Sequence, residues 1–122
     1  MEMWNLFDCV SVGASLDASG ARAELLRKGT DWAQTVANRQ RMIKEVPHVD
    51  FYVSATVSAM NILHVMDFHR EWVDLGLLRP MDWNINMLQH PLRYRVDALP
   101  PNLKRRARER IEEHLECTCL HP

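Results

Sequence analysis

A chain of 122 residues is long enough for one compact domain with a modest core, and 47% apolar with 25% charged residues is an ordinary composition for such a domain. The formal net charge of −1 gives no global sign of a nucleic-acid or membrane surface, and no apolar run reaches the roughly 18–20 residues that span a bilayer. The opening MEMWNLFDC lacks the basic stretch followed by an apolar one that marks a secretory signal, so a cytoplasmic protein is expected.

In chain order, DCVSVGASL (8–16) reads as a first strand. Gly20 and Gly29 bracket a short helix, ARAELLRK, with Gly29 suited to the position just past its end. TDWAQTVANRQRMIKEVP follows as a second helix. Asp31 and Gln34 resemble a capping box there, Trp32, Val36 and Ile43 form its apolar stripe, and Pro47 stops it. VDFYVSATVS (49–58) is rich in β-branched and aromatic residues and reads as a second strand. NILHVMDFHREWVDLG reads as a helix with Asn61 as its N-cap and Gly76 just beyond its end.

DWNINML (82–88) reads as a third strand, and QHPLRYRVDALP (89–100) as the one weakly ordered stretch. PPNLKRRARERIEEHLE reads as a last helix, with Pro101 in its first turn and Leu103, Ala107, Ile111 and Leu115 along one face. Residues 117–122 remain as a tail. The order βααβαβα predicts an α/β fold with parallel strands and right-handed crossovers.

All three strands alternate. Val10, Val12, Ala14 and Leu16 oppose Cys9, Ser11, Gly13, Ser15 and Asp17; Phe51, Val53, Ala55 and Val57 oppose Tyr52, Ser54, Thr56 and Ser58; Trp83, Ile85 and Met87 oppose Asn84, Asn86 and Leu88. Parallel strands covered on both sides read instead as continuous apolar runs. The apolar rows therefore belong against helices and the small polar rows against a ligand cavity or an open barrel interior. The C-terminal strand ends, where α/β folds place their sites, are also polar: Ser15–Asp17, Thr56–Asn61 and Asn86–Gln89.

The run SLDA…LLRKGTDW…N, then VSATVSAMNILHVMDFHREWVDLGLL and DWNINMLQHPLRYRVDALPP, resembles the C-terminal half of a radical S-adenosylmethionine (SAM) enzyme barrel, of the group that carries an auxiliary twitch domain. The resemblance covers about residues 4–116. It implies a parallel βααβαβα segment that is half of a partial, TIM-like (β/α)6 barrel. It also implies SAM and a 4Fe-4S cluster as cofactors of the intact enzyme, acting on a small-molecule or peptide substrate. The family's Cys-x3-Cys-x2-Cys element is missing: Cys9, Cys117 and Cys119 cannot make it, so this chain is expected not to bind the cluster or cleave SAM alone.

By motif match, Ser15 and Arg27 hold the amino-acid part of SAM, a hydroxyl and a guanidinium being fit for a carboxylate. Asp17 orients a ribose hydroxyl or serves as a local turn or cap. Thr56, Asn61 and Asn86 line the substrate side, with capping as the other reading of Asn61. His64 and His69 stand five apart, a poor spacing for one helix face, and read as surface or boundary residues. His114, Cys117, Cys119 and His121 have metal-binding chemistry but no zinc-finger spacing. Apart from an enzyme fragment, two other readings stand: part of another (β/α) barrel, for which no glycine-rich phosphate loop speaks, and a half-barrel scaffold. Such a scaffold would pair with a partner chain or with itself through its open edges.

Overall fold

The computed structural model describes residues 1–120. Its elements are β1 (Ser11–Ala14), α1 (Gly20–Leu26), α2 (Trp32–Glu45), β2 (Asp50–Val57), α3 (Val65–Asp74), β3 (Trp83–Met87) and α4 (Pro101–Leu120), with short 3-10 turns at Glu2–Leu6, Leu92–Tyr94 and Val96–Ala98. The fold is mixed α/β, with the expected element order. The strands form one parallel sheet in the order β1-β2-β3, with Ser11 opposite Asp50 and Val53 opposite Trp83. β1 is shorter than the alternation over residues 8–16 predicts, because it parts from β2 beyond the Ala14–Val53 pair.

The apolar row of β2 (Phe51, Val53, Ala55, Val57) is buried against Val65, Phe68 and Trp72 of α3 and Ala107 of α4, with Trp32 and Val36 of α2 packed onto the same cluster. Trp72 is 0% exposed and sits at the centre of an aromatic group. Its ring centroid lies 5.6 Å from that of Trp32, 5.3 Å from Phe68 and 6.4 Å from Phe51.

The opposite face of the sheet has no such cover. Ser11, Gly13, Ser15, Asn84 and Asn86 are exposed, and Tyr52, Ser54 and Thr56 only half-buried. Strands added in sequence order by right-handed crossovers keep their helices on one side, and covering the second side needs a reversal of strand order that this sheet lacks. Tyr52 lies across Gly13 on this bare face, where a Cβ on residue 13 would come within 2.6 Å of its ring.

Local signals succeed and fail for identifiable reasons. The Asp31 side chain accepts the Gln34 N–H at 2.9 Å, but the Gln34 side chain turns to Asn38 and leaves the capping box half made. Gly76 adopts φ +68° just past α3, as the sequence predicts. Gly29 also has positive φ, yet α1 already ends at Leu26 with Arg27 extended behind it. α3 begins at Val65 with His64 at its N-cap, so Asn61 does not cap it. Residues 89–100 hold the last two 3-10 turns, and the Tyr94 carbonyl accepts the Ala59 N–H at 2.8 Å. α4 continues to Leu120, so Cys117 belongs to a helix rather than to a tail.

The α4 stripe turns differently from its spacing. Ala107 is buried, but Leu115 is 55% exposed and His114 takes the inward position. His69, expected near the surface, is buried as well, and its Nδ1 lies 2.8 Å from Nε2 of His114. His69 Nε2 faces the Pro80 carbonyl at 3.1 Å, which can only accept, so Nε2 carries the proton. Nδ1 is then the acceptor for the His114 Nε2–H, and His114 Nδ1 is left buried without a partner.

Burial lowers both imidazoles below their ordinary range; His69 itself and Arg70 push His114 further down, while Asp67, held by Arg110 at 2.7 Å, pulls the other way. The unfolded chain therefore binds more protons than the folded one. This contribution is complete above about pH 6.5 and is lost as pH falls through the lower, folded values. Denaturation midpoints are expected to drop from about pH 7.5 to about pH 5, and His114→Leu to flatten that drop. An unchanged pH profile in His114→Leu would show that the pair does not set it.

Candidate functional site

Four of the expected site residues meet where β1 and β2 end. On the β1 side of β2 the backbone groups belong to residues 50, 52, 54 and 56, since the Asp50 N–H donates to the Val10 carbonyl. Beyond Ala14 the main chain of β1 no longer reaches β2. The Asp17 carboxylate takes its place: Oδ1 accepts the Thr56 N–H at 2.7 Å. Asp17 is thus neither an Asx turn nor a helix cap but a side-chain extension of the sheet ladder.

Arg27, from the end of α1, closes on the same carboxylate, with Nε at 2.7 Å from Oδ2 and Nη2 at 3.3 Å from Oδ1. This two-point pairing holds α1 to the strand end and leaves the Nη1 side of the guanidinium free.

Asn61 is 1% exposed and uses its whole amide. Oδ1 accepts the Ser58 N–H at 2.8 Å, and Nδ2 donates to the carbonyls of Asp17 at 2.8 Å and Thr56 at 2.9 Å. It ties three backbone groups of the β1 and β2 ends together, so the whole amide is engaged within the chain.

The remaining candidates lie on the bare sheet face. Ser15 is exposed at the end of β1, Thr56 is half-buried with only its backbone engaged by Asp17, and the Asn86 amide donates to the Ser54 hydroxyl at 2.9 Å across β2 and β3. The result is a shallow surface of hydroxyls and amides above a strand-end network already satisfied internally. It can hydrogen-bond a polar ligand, and it offers no free charge at its centre.

The residues present do not fit an iron-sulfur cluster. Cys9 and Cys117 are exposed in separate parts of the chain, and among the described residues no three His, Cys, Asp or Glu side chains converge as metal ligands would. The Cys119 side chain and His121 lie outside the described residues, and His114 turns inward to His69 rather than toward Cys117. Of the two residues expected at the SAM carboxylate, Ser15 is exposed and Arg27 is paired with Asp17.

A second feature escapes the sequence motifs. Between β3 and α4 runs an apolar groove of about 770 Å³, lined by Val57, Ile85, Met87, Ala107 and Ile111 among others and flanked by Lys104 and Arg108. Its signal in the sequence was the apolar row of the third strand, which the structure leaves partly uncovered: Ile85 and Met87 are both exposed. Comparison of the chain with protein-family models, with curated proteins and with solved structures finds no match. No helix among the described residues is long and apolar enough to cross a membrane.

Proposed function

We propose that this chain is the C-terminal half of a partial (β/α)6 barrel of the radical SAM kind, with the bare sheet face as part of a shared ligand wall. The observation that carries the reading is the sheet itself: three parallel strands in sequence order, helices on one side, and a polar second face left open. A barrel interior in its completed form would enclose Ser15, Ser54, Thr56 and Asn86. Asp17, Arg27 and Asn61 position that wall by fixing the strand ends. SAM and the 4Fe-4S cluster would belong to the intact assembly, which acts on a small-molecule or peptide substrate. This half supplies no cluster ligands, and Arg27 would hold a ligand carboxylate through its free Nη1 side while Asp17 keeps the Nε side. A cytoplasmic setting, which keeps thiols reduced, fits the two exposed free cysteines at 9 and 117.

The test is anaerobic reconstitution with iron and sulfide, on this chain alone and on this chain co-expressed with the coding sequence immediately upstream. The chain alone is expected to show no four-iron chromophore and no thermal stabilisation by SAM. The co-expressed assembly is expected to show both, with Cys-x3-Cys-x2-Cys in the added segment. A cluster on this chain alone, or an upstream sequence without that element, contradicts the reading.

A second reading, a half-barrel interaction module without catalysis, is favoured by one observation: the open edge of β3 beside its apolar groove.

A further inference from the structure

The groove between β3 and α4 lies on the helix-covered side of the sheet, opposite the bare face and apart from the strand-end network. Val57, Ile85 and Met87 supply its floor from the sheet, and Ala107 and Ile111 its wall from α4. Leu88 and Val96, from the segment joining β3 to α4, complete it. Its shape is fixed within the chain. The Tyr94 carbonyl accepts the Ala59 N–H at 2.8 Å and ties the joining segment to the end of β2. Farther along α4, His114 meets His69 at 2.8 Å and Arg110 meets Asp67 at 2.7 Å, which seats the helix on α3.

The chemistry of the lining is sharply divided. No aromatic ring lines the groove; its apolar members are branched aliphatic side chains, Ala107 and the flexible thioethers of Met66 and Met87. The charged members form the rim. Arg95 is spent on Asp97, with Nε at 3.0 Å from Oδ1. Lys104 and Arg108 stand one turn apart on α4, both exposed, and neither makes an ion pair among the described residues. Glu112 follows one turn beyond Arg108. The α4 rim is therefore cationic toward the start of the helix and acidic farther along.

We infer that the groove binds one single-chain aliphatic carboxylate, a fatty acid, with its head between Lys104 and Arg108 and its chain along Met87 and Ile85 toward Ile111. A volume of about 770 Å³ falls within the range of about 300–1,000 Å³ typical of small-molecule sites. The two cations match the head, and their methylene stems extend the apolar wall above it. Glu112 sets the direction, because it repels a carboxylate placed at the other end of the rim. The site goes beyond the barrel reading and does not depend on it, since the ligand wall of that reading is the opposite face of the sheet.

Titration calorimetry of the purified chain with decanoate, kept below its micelle concentration, tests the inference. Saturable binding of one decanoate per chain is expected, and clearly weaker binding of decyltrimethylammonium, which has a similar chain and the opposite charge. The double substitution Lys104→Gln with Arg108→Gln should weaken decanoate about tenfold and leave decanol unchanged. Met87→Glu should abolish binding of both. Met87 is 49% exposed, so this change spares the core, and circular dichroism checks that the variant folds. Amide chemical shifts in the unmodified chain give a readout free of substitutions: decanoate should move Met87, Ala107 and Ile111 and leave Gly13 and Ser54 of the bare face in place.

Absence of saturable decanoate binding overturns the inference. So does equal affinity for decyltrimethylammonium, an unchanged decanoate affinity in the double variant, or shifts centred on the bare face. Binding to phosphatidylglycerol vesicles without binding to free decanoate would make the groove a membrane contact and would overturn it as well.

Discussion

Asn61→Ala is expected to cost the fold about 3–5 kcal/mol, read as a lowered midpoint in chemical denaturation. The side chain is small and its packing loss modest. The cost arises because alanine leaves the buried Ser58 N–H and the part-buried carbonyls of Asp17 and Thr56 without this partner. Each unsatisfied group costs about 1–3 kcal/mol, and the three share one site, so they do not add fully. Asn61→Asp separates this account from simple loss of volume. The carboxylate keeps an acceptor for Ser58 but sets negative charge against two carbonyls, so it should destabilise at least as much as alanine at neutral pH. It should recover partly in acid, where protonation returns one donor. An Asn61→Ala loss below about 1 kcal/mol would show that the strand ends do not depend on this amide.

Trp72→Ala is the second large effect, about 3–5 kcal/mol, because the indole is fully buried among Trp32 of α2, Phe68 of α3 and Phe51 of β2, and its removal leaves a cavity there. Against a total stability of about 5–15 kcal/mol for a domain this size, that loss removes a large share of the margin and should lower the denaturation midpoint sharply. Trp72→Phe should cost much less. It keeps a ring at the centre of the cluster and removes an indole N–H that is buried without a partner. Near-equal losses for Phe and Ala would mean that the aromatic packing around residue 72 is not what holds the helices to the sheet.

What could be read from the sequence was local or strictly periodic. Period-two alternation separated the two faces of each strand; β2 follows it in full and β1 in part, while on β3 the apolar row stays exposed beyond Trp83. Asp31 and Gly76 act within a few residues of their own positions, and both do what their types predict.

Asn61 shows the limit. Asparagine before an apolar run reads as a cap, but its partner at Asp17 is 44 residues away, and only the closing of β1 on β2 brings them together. The same holds for His69 and His114, 45 residues apart. Arg27 and Asp17 were both singled out, yet as two contacts for one ligand; that they satisfy each other depends on where α1 leaves the strand end. On α4, the four-residue repeat from Leu103 to Leu115 misled for a geometric reason. At 3.6 residues per turn each step of four advances about 40°, so after three steps the stripe has swung about 120° off its starting face. His114, one residue back, is the side chain that turns inward, to His69 of α3.

The central claim is that the bare face and its two open edges are one part of a larger barrel. Amide hydrogen exchange along β1, resolved by residue, addresses it most directly, because the strand carries its own control. Val12 and Ala14 face β2 and should be protected in every sample, while Ser11 and Gly13 face the open edge. The account predicts that Ser11 and Gly13 exchange freely in this chain alone and gain protection in the co-expressed assembly. Unprotected exchange at Ser11 and Gly13 in both, with Val12 and Ala14 still protected, would show that the edge stays open and would contradict it.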